Sequence, residues 1–364
     1  MDPPIAGIAE PRFAPVREAL VGLLADGQET GAALSIVHDG RLVVDLYAGW
    51  RDAARRQAWL PQTLVNVFST GKPVAALGVL LLVERGRVGL DEPVARYWPE
   101  FAANGKAAVT VRHALSHTAG VPVFPAPRGA AAYADWHLLA ADLAAAAPMW
   151  TPGATAAEHA LTYGHLVGEL VRRVDGRSLG RFVADELAGP WRLDLAFGLG
   201  AADRRRAAEL EYASPGWPAT MLGEPGSLRA RALGNPAGCL DLPVLNSDTW
   251  RAAEVPAVNL HSTAAALAGL YANLLEGGAG LLGAGMLREL TGTQYDGWDM
   301  LLERRVRWTL GMQADDDGTW GMGGIGGSVG FADPVRGYAL AYATRRLSDH
   351  HRVDVLVDSL HACL

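Results

Sequence analysis

Apolar residues recur at two different spacings along the chain, and the spacing changes from one section to the next. Near the N-terminus they lie three and four residues apart over residues 13–24, which predicts a helix. Two β-branched runs follow, at residues 33–37 and 42–47, and Asp39-Gly40 between them is a strong hairpin signal. The pattern therefore predicts one helix and two antiparallel strands in the first section.

Helical patterns dominate the middle of the chain. Thr110 is a good N-cap for a helix, and the alanine-rich stretch at residues 130–147 also favours helix. Amphipathic helices are predicted at residues 166–174 and 179–187. Residues 212–256 are rich in proline and glycine, so we expect a loop there.

Strand patterns return near the end of the sequence, at residues 308–312, 330–332 and 338–343. Thr263 caps a helix that precedes them, and residues 351–364 predict a final helix. Strands therefore come from both ends of the sequence, and helices come mostly from its middle.

This order of elements predicts an α/β (α+β) fold made of two parts. A discontinuous α/β domain would comprise residues 1–86 plus 264–364, and a mainly helical domain, residues 87–263, would be inserted into it. We expect an active site in the cleft between the two domains, because clefts of this kind are where small-molecule sites occur.

The composition mainly disfavours particular classes of protein. A net charge of −7 disfavours a nucleic-acid-binding protein, and the 2 cysteines, Cys239 and Cys363, give neither a disulfide framework nor a metal-ligand spacing. The first residues lack the cationic and apolar segments of a signal peptide, and no run of about 18 apolar residues could span a membrane. We therefore expect a cytoplasmic protein with no nucleic-acid or membrane partner.

The strongest chemical signal is Ser69-Thr70-Gly71-Lys72 at the start of an apolar helix. Residues three apart share a helix face, so Lys72 should stand beside Ser69. The positive helix end favours an alkoxide, and burial of the lysine amine favours its neutral, proton-accepting form. The alternative is a capped core helix with a surface lysine. The pattern is typical of an activated nucleophile.

A second candidate is Tyr163, which lies just before the predicted helix at residues 166–174. A tyrosine at a loop-to-helix junction can reach a neighbouring pocket, and a nearby cation would lower the pKa of its phenol so that it can move protons. The alternative is a tyrosine whose ring packs in the core and whose hydroxyl is satisfied there.

A third candidate is the glycine-rich segment that contains Met322, Gly323, Gly324 and Ile325. So many glycines before a strand indicate a close approach of the backbone to another element or to a ligand. A strand edge at this place could offer a backbone N–H group to an oxyanion. The alternative is a flexible glycine-rich turn.

Ser328 lies in a Gly-x-Ser-x-Gly pattern, but we interpret that match as a decoy. The nucleophile elbow needs a strand before the serine and a helix after it, whereas glycines precede Ser328 and a strand pattern follows it. Asp333 and His350 could complete a triad, yet too few residues remain to complete the sheet of such a hydrolase.

His113 and His117 lie four residues apart on one helix face, a spacing that can hold zinc. No glutamate follows His113, so the zinc-protease pattern is absent from the sequence. We expect structural hydrogen bonds for both histidines, and we predict no metal and no cofactor.

Together, Ser69-Thr70-Gly71-Lys72, Tyr163-Gly164-His165 and Met322-Gly323-Gly324 resemble, in order and spacing, the three motifs of serine β-lactamases and penicillin-binding proteins. The connecting segments 90–94, 111–121 and 150–153 resemble the class C β-lactamase-like group. That group includes the family VIII carboxylesterases and some acyltransferases of natural-product pathways. The resemblance covers nearly the whole chain and implies a β-lactamase/transpeptidase-like fold, with an antiparallel sheet flanked by helices.

The resemblance also implies roles for individual residues. Ser69 would be the acylated nucleophile, and Lys72 and Tyr163 would share general-base and general-acid work. The backbone N–H groups of Ser69 and Ile325 would form the oxyanion hole. His165 would occupy the place of a substrate-contacting asparagine.

The third motif departs most from the family pattern. Related enzymes carry a lysine or a histidine where this chain has Met322, and a thioether cannot bind the carboxylate of a β-lactam. Met322, Gly323 and Gly324 are therefore expected to contact a neutral, apolar acyl group. We expect selectivity to lie in residues 212–256 and 121–136.

The resulting prediction is a serine carboxylesterase that acts on small neutral esters through an acyl-enzyme. An alternative keeps the same chemistry but passes the acyl group to an alcohol or amine acceptor. A β-lactamase, a D-amino-acid peptidase and a non-catalytic binding protein are weaker alternatives.

Overall fold

A nine-stranded antiparallel sheet runs through the structure, a computed structural model that describes residues 3–364. The order of strands in this sheet is β1-β3-β2-β13-β12-β11-β10-β9-β8. The remaining strands form small sheets of two and three strands. The strands are β1 Ile5–Ala9, β2 Gly31–His38, β3 Arg41–Gly49, β4 Val65–Asn66, β5 Leu195–Ala196, β6 Glu211–Tyr212, β7 His261–Ser262, β8 Tyr295–Asp299, β9 Arg304–Trp308, β10 Gln313–Ala314, β11 Trp320–Gly323, β12 Val329–Asp333, β13 Tyr338–Thr344 and β14 Arg346–Leu347.

Helices flank both faces of this sheet and fill the middle of the chain. They are α1 Ala14–Ala25, α2 Lys72–Glu84, α3 Val111–Leu115, α4 Trp136–Ala145, α5 Thr162–Asp175, α6 Leu179–Val183, α7 Gly189–Trp191, α8 Ala201–Arg204, α9 Trp217–Leu222, α10 Leu228–Leu233, α11 Leu242–Leu245, α12 Asp248–Ala252, α13 Ala264–Leu275, α14 Ala284–Thr291 and α15 His351–His361. Short 3₁₀ turns include Ser69–Gly71, directly before α2. The predicted fold class is confirmed.

Strand β13 shows how the sheet separates two cores. Successive side chains of a strand point to opposite faces. Tyr338, Leu340 and Tyr342 pack in the core that α1 and α15 cover. The alanines between them face the other core, where small side chains let α13 lie close to the sheet.

The predicted hairpin is confirmed in its turn as well as in its strands. Asp39 and Gly40 have φ values of 48° and 71°, the left-handed conformation that a two-residue hairpin of this type requires. His38 pairs with Arg41 across the turn. The cap on α3 is also confirmed, because the Thr110 side chain accepts from the backbone N–H of His113.

Two sequence predictions differ from the structure. Residues 212–256 are not a loop, because they fold into four short helices, α9 to α12, whose proline residues start helices rather than only interrupt them. The strand predicted at residues 308–312 ends at Trp308, because Gly311, with a φ of 95°, turns the backbone there. The division at residues 86/87 and 263/264 stays a prediction.

Helix α2 connects the sheet with the helical middle of the chain. Its residues from Lys72 to Leu82 are all buried, and it packs against α5 and α6. A helix that is apolar on every side must be surrounded by other elements. In residues 3–364, no helix has the length and hydropathy needed to cross a membrane.

A buried ion pair fixes the glycine-rich loop that follows β11. Glu29 and Arg352 are almost fully buried and their charged atoms lie 2.6 Å apart. The same carboxylate accepts hydrogen bonds from Tyr342 and Thr344 on β13. Arg352 also donates to the carbonyl oxygen of Gly326 at 3.2 Å, so this pair holds the loop against α15.

Replacement of Arg352 by methionine should therefore destabilise the protein strongly. The substitution leaves the Glu29 carboxylate buried without its ion partner, which costs about 3–5 kcal/mol. We expect a clear fall in Tm by calorimetry. Arg305→Met is the control, because that side chain is exposed and pairs at the surface with Asp296. Equal Tm values for the two variants would contradict this account.

Candidate active site

Ser69 and Lys72 lie side by side at the start of α2. Lys72 Nζ is 2.6 Å from Ser69 Oγ, and the lysine is fully buried whereas the serine faces a pocket. The 3₁₀ turn that begins at Ser69 leads directly into α2, so the two side chains share one helical face. The geometry that the sequence predicted for this pair is present.

The backbone just before Ser69 is strained. Phe68 has a φ of 50°, a conformation that bulky residues rarely adopt. Its buried ring holds it there, and such strain is typical of functional sites. The turn presents the serine hydroxyl to the pocket instead of continuing the short strand β4.

Glu158 completes the cluster, although the sequence analysis did not single it out. One of its carboxylate oxygens lies 2.8 Å from Lys72 Nζ and 3.4 Å from Ser69 Oγ. Burial lowers the pKa of the Lys72 ammonium, and the neighbouring carboxylate opposes that change. The signal in the sequence was faint: Glu158 is the one charged residue in the apolar stretch 154–161.

The structure corrects the expectation for Tyr163. Its hydroxyl donates a hydrogen bond to the carbonyl oxygen of Leu115 at 3.3 Å and makes none to Ser69 or Lys72 within residues 3–364. It faces Gly311 behind α2, and burial raises the pKa of the phenol. The helix α5 begins at Thr162 and turns this side chain away from the pocket. Tyr163 is therefore not in position to share proton transfer with Lys72.

His165 also lies away from the pocket. It is fully buried, packs on Trp136 with ring centroids 4.6 Å apart, and has a pKa that burial lowers to about 3. A neutral histidine in the helical core cannot contact a substrate, so that expectation is corrected too. Ala160, five residues earlier in the chain, lines the pocket, whereas His165 does not.

The glycine-rich segment lies opposite the Ser69 turn, as the third motif predicted. Met322, Gly323, Gly324 and Ile325 line the same pocket as Ser69. A Cβ atom on Gly324 would lie 2.2 Å from the carbonyl oxygen of Val67, so only glycine permits this approach. The end of β11 can therefore lie against the turn that carries the nucleophile. The oxyanion role of the Ser69 and Ile325 N–H groups stays a prediction.

The pocket has a volume of about 390 Å³ and a mainly apolar wall. Residues 212–256 contribute part of that wall, whereas residues 121–136 do not line it. The role of the two segments in selectivity stays a prediction. Two arginines reach the pocket. Arg304 donates to Gln313 at 2.7 Å, and Arg229 points to the carbonyl oxygen of Leu301 at 3.4 Å. The main apolar side chains are Met221, Leu233, Leu240, Val258, Leu301 and Leu302.

Comparison with known families decides the assignment of the chain. The sequence model of the family described as Beta-lactamase matches residues 16–361, nearly the whole chain. This chain belongs to the β-lactamase family.

Three relatives within the β-lactamase family match nearly the whole of this chain. The esterase/β-lactamase LipL of Mycobacterium tuberculosis (strain ATCC 25618 / H37Rv) is 33% identical, over 94% of this chain and 83% of LipL. A crystal structure of a family VIII carboxylesterase has a TM-score of 0.91 at 34% identity, over 99% of this chain and 100% of that one. A penicillin-binding protein homologue from Caulobacter crescentus has a TM-score of 0.88 at 36% identity, with the same coverage.

Two other sequence patterns of this β-lactamase-family chain, the one around Ser328 and the histidine pair, have structural roles. Ser328 lies between strands β11 and β12, and its hydroxyl accepts from the backbone N–H of Thr344 at 3.2 Å. His113 belongs to the cap of α3, and Nδ1 of His117 accepts from the backbone N–H of His159 at 3.0 Å. Ser328 therefore does not lie in a nucleophile elbow, as predicted, and both histidines make structural hydrogen bonds.

A covalent serine probe should therefore modify Ser69 and not Ser328. A fluorophosphonate should label the parent protein once, and peptide mapping should place the label on Ser69, because Lys72 lies 2.6 Å from that hydroxyl. Ser69→Ala should lose the label, and Ser328→Ala, the matched control, should keep it. A label that maps to Ser328 would contradict the assignment.

Proposed function

We propose that this protein is a serine carboxylesterase that hydrolyses small neutral esters through an acyl-enzyme on Ser69. The observation that carries the proposal is the Ser69–Lys72 pair, 2.6 Å apart, at the base of a mainly apolar pocket. A buried amine beside a hydroxyl at a helix start is an arrangement that activates a nucleophile.

The reaction we propose has two halves. Ser69 Oγ attacks the ester carbonyl carbon, the alcohol leaves with a proton, and the acyl group remains on the serine. Water then attacks the acyl-enzyme, and the carboxylic acid leaves as Ser69 regains its proton. In both halves the backbone N–H groups of Ser69 and Ile325 would donate to the oxyanion. Their place at the two edges of one pocket supports this role.

Met322 supports a neutral acyl group. It is nearly buried and packs with Trp308 and Val306 beside the pocket. Its thioether is polarizable and apolar, so it gains from contact with hydrocarbon and offers nothing to an anion. The arginines at the pocket already have acceptors in Gln313 and the Leu301 carbonyl group.

Two relatives support the ester class. LipL carries the description esterase/β-lactamase, and a solved structure at 34% identity is a family VIII carboxylesterase. Both descriptions concern enzymes that cleave an acyl bond. For this chain the choice between an ester and a β-lactam substrate rests on the pocket. There Met322 takes the place of the lysine or histidine of the third motif.

A series of p-nitrophenyl esters of increasing acyl length tests the proposal directly. The parent protein should release p-nitrophenol with saturation kinetics, and Ser69→Ala should lower kcat by several orders of magnitude, as loss of a nucleophile does. Addition of an alcohol or amine distinguishes hydrolysis from acyl transfer, because transfer yields a new ester or amide. A parent protein that cleaves none of the esters would refute the proposed function.

Nitrocefin should be a poor substrate of the parent protein. An unpaired carboxylate costs several kcal/mol on burial, and each 1.4 kcal/mol is about tenfold in rate, so we expect a butyrate ester to be preferred by at least about a hundredfold in kcat/KM. Met322→Lys should narrow that preference, and Met322→Leu is the uncharged control. Nitrocefin turnover that rivals the ester in the parent would contradict this prediction.

A further inference from the structure

Glu158 lies at the reacting atoms without any role in the three motifs that the sequence shows. Its carboxylate is 3.4 Å from Ser69 Oγ and 2.8 Å from Lys72 Nζ, and its side chain is 10% exposed. That small exposure is toward the pocket, which Glu158 lines together with Ser69. An ester bound against Ser69 would therefore meet this carboxylate.

We propose that Glu158 is the third catalytic residue of this enzyme and carries the proton in both halves of the reaction. The proposal rests on the proposed esterase function. It assigns to a carboxylate the work that the sequence analysis gave to the phenol of Tyr163.

The charges around Lys72 favour this assignment. The titratable groups packed around the Lys72–Glu158 pair include His117, His159, Asp299 and Tyr163. Burial lowers the pKa of His159 to about 4 and that of His117 well below its usual value, so both are neutral near pH 7. Burial likewise raises the pKa of the Tyr163 phenol.

Asp299 has its own donors. It accepts hydrogen bonds from the indole N–H of Trp308 and from the backbone N–H groups of Leu301 and Leu302, each at 2.8–2.9 Å. Within residues 3–364, Glu158 is thus the carboxylate that forms an ion pair with Lys72. In this assignment Lys72 stays the ammonium of that ion pair, and the Glu158 carboxylate accepts the proton of Ser69.

The backbone holds Glu158 in place on both sides. The carbonyl oxygen of Ala156 accepts from Met300 N–H at 2.9 Å, and Ala157 N–H donates to the carbonyl oxygen of His117 at 3.3 Å. His159 N–H donates to Nδ1 of His117 at 3.0 Å. These contacts fix the residues before and after Glu158, so its carboxylate is preorganised beside the nucleophile.

The proton balance closes with this assignment. Glu158 accepts the hydroxyl proton as Ser69 Oγ bonds to the ester carbon, and the Lys72 ammonium stabilises the developing negative charge. Protonated Glu158 gives its proton to the departing alcohol oxygen as the ester C–O bond breaks. In the second half Glu158 accepts a proton from water as the water oxygen bonds to the acyl carbon. The bond between the acyl carbon and Ser69 Oγ then breaks, the carboxylic acid leaves, and Glu158 returns that proton to Ser69 Oγ. Glu158 and Lys72 end as they began.

Glu158→Gln is the main test, with Tyr163→Phe as the matched control from the same region. General acid–base residues contribute about 10²- to 10⁴-fold, so Glu158→Gln should lower kcat for a p-nitrophenyl ester by that factor with little change in KM. Tyr163→Phe should keep kcat within about threefold of the parent, because its hydroxyl contacts Leu115 and not the reacting atoms.

The pH profile tests the ion pair, and chemical rescue by formate separates a catalytic role from a structural one. The carboxylate raises the pKa of Lys72 against the effect of burial, so its removal should lower that pKa further. The alkaline limb of the pH profile of kcat/KM, where the Lys72 ammonium loses its proton, should therefore move to lower pH in Glu158→Gln. In Glu158→Ala, added formate should restore part of the activity, which a merely structural role would not allow.

The outcomes are distinct. If the parent cleaves esters and Glu158→Gln does so equally well, or if Tyr163→Phe suffers the hundredfold loss instead, the assignment of Glu158 is overturned. If Glu158→Gln does not fold by circular dichroism, Glu158→Asp keeps the charge and should lose at least about tenfold in kcat, because the shorter side chain withdraws the carboxylate from Ser69. Full activity in that variant would also overturn the proposal. Failure of the parent to cleave esters would instead refute the esterase function.

Discussion

The burial of Lys72 is the constraint on which the site depends. An ammonium group without exposure cannot be left unpaired in a protein interior, since an isolated buried charge costs many kcal/mol. The lysine therefore needs an anion and a hydrogen-bond acceptor close by, and Glu158 and Ser69 supply them. Burial of the Lys72 amine therefore requires Glu158 and Ser69 to lie within hydrogen-bond distance of it.

That requirement explains why the fold joins distant parts of the chain at this point. Helix α2 is buried along most of its length and packs against the helical middle, so its first turn lies where both parts meet. The segment around Glu158 comes from one side, and the end of β11 comes from the other, where Gly324 permits the contact with Val67. The site is thus assembled by packing of the helix, and its atoms come from three separate stretches of sequence.

The sequence predicted those parts of the structure that local patterns encode. The hairpin at Asp39-Gly40, the cap at Thr110 and the pair Ser69 and Lys72 each depend on residues only a few positions apart. The four helices within residues 212–256 were missed because they are short and because prolines, two of which lie in the first turns of α9 and α11, look like loop residues when only composition is considered.

The partner of Lys72 could not be found in this way. Glu158 is 86 positions from Lys72 along the chain, and only tertiary packing brings the two together. Tyr163 was favoured because its neighbours fit a motif, but a motif fixes spacing and not the direction of a side chain. The first turn of α5 directs Tyr163 to Leu115 and the loop before that helix directs Glu158 to the nucleophile.

The group beside Lys72 determines which proton acceptor the site can use. A phenol titrates near pH 10 and a glutamic acid near pH 4.3 in free peptides, so a carboxylate is ready to accept a proton at neutral pH without help from a cation. It is also the weaker base, and it therefore needs the alkoxide of Ser69 to be stabilised more strongly. Lys72 at 2.6 Å and the positive end of α2 offer that stabilisation. An enzyme built in this way would differ from one that uses a phenol as its proton carrier first in the pH range of its activity.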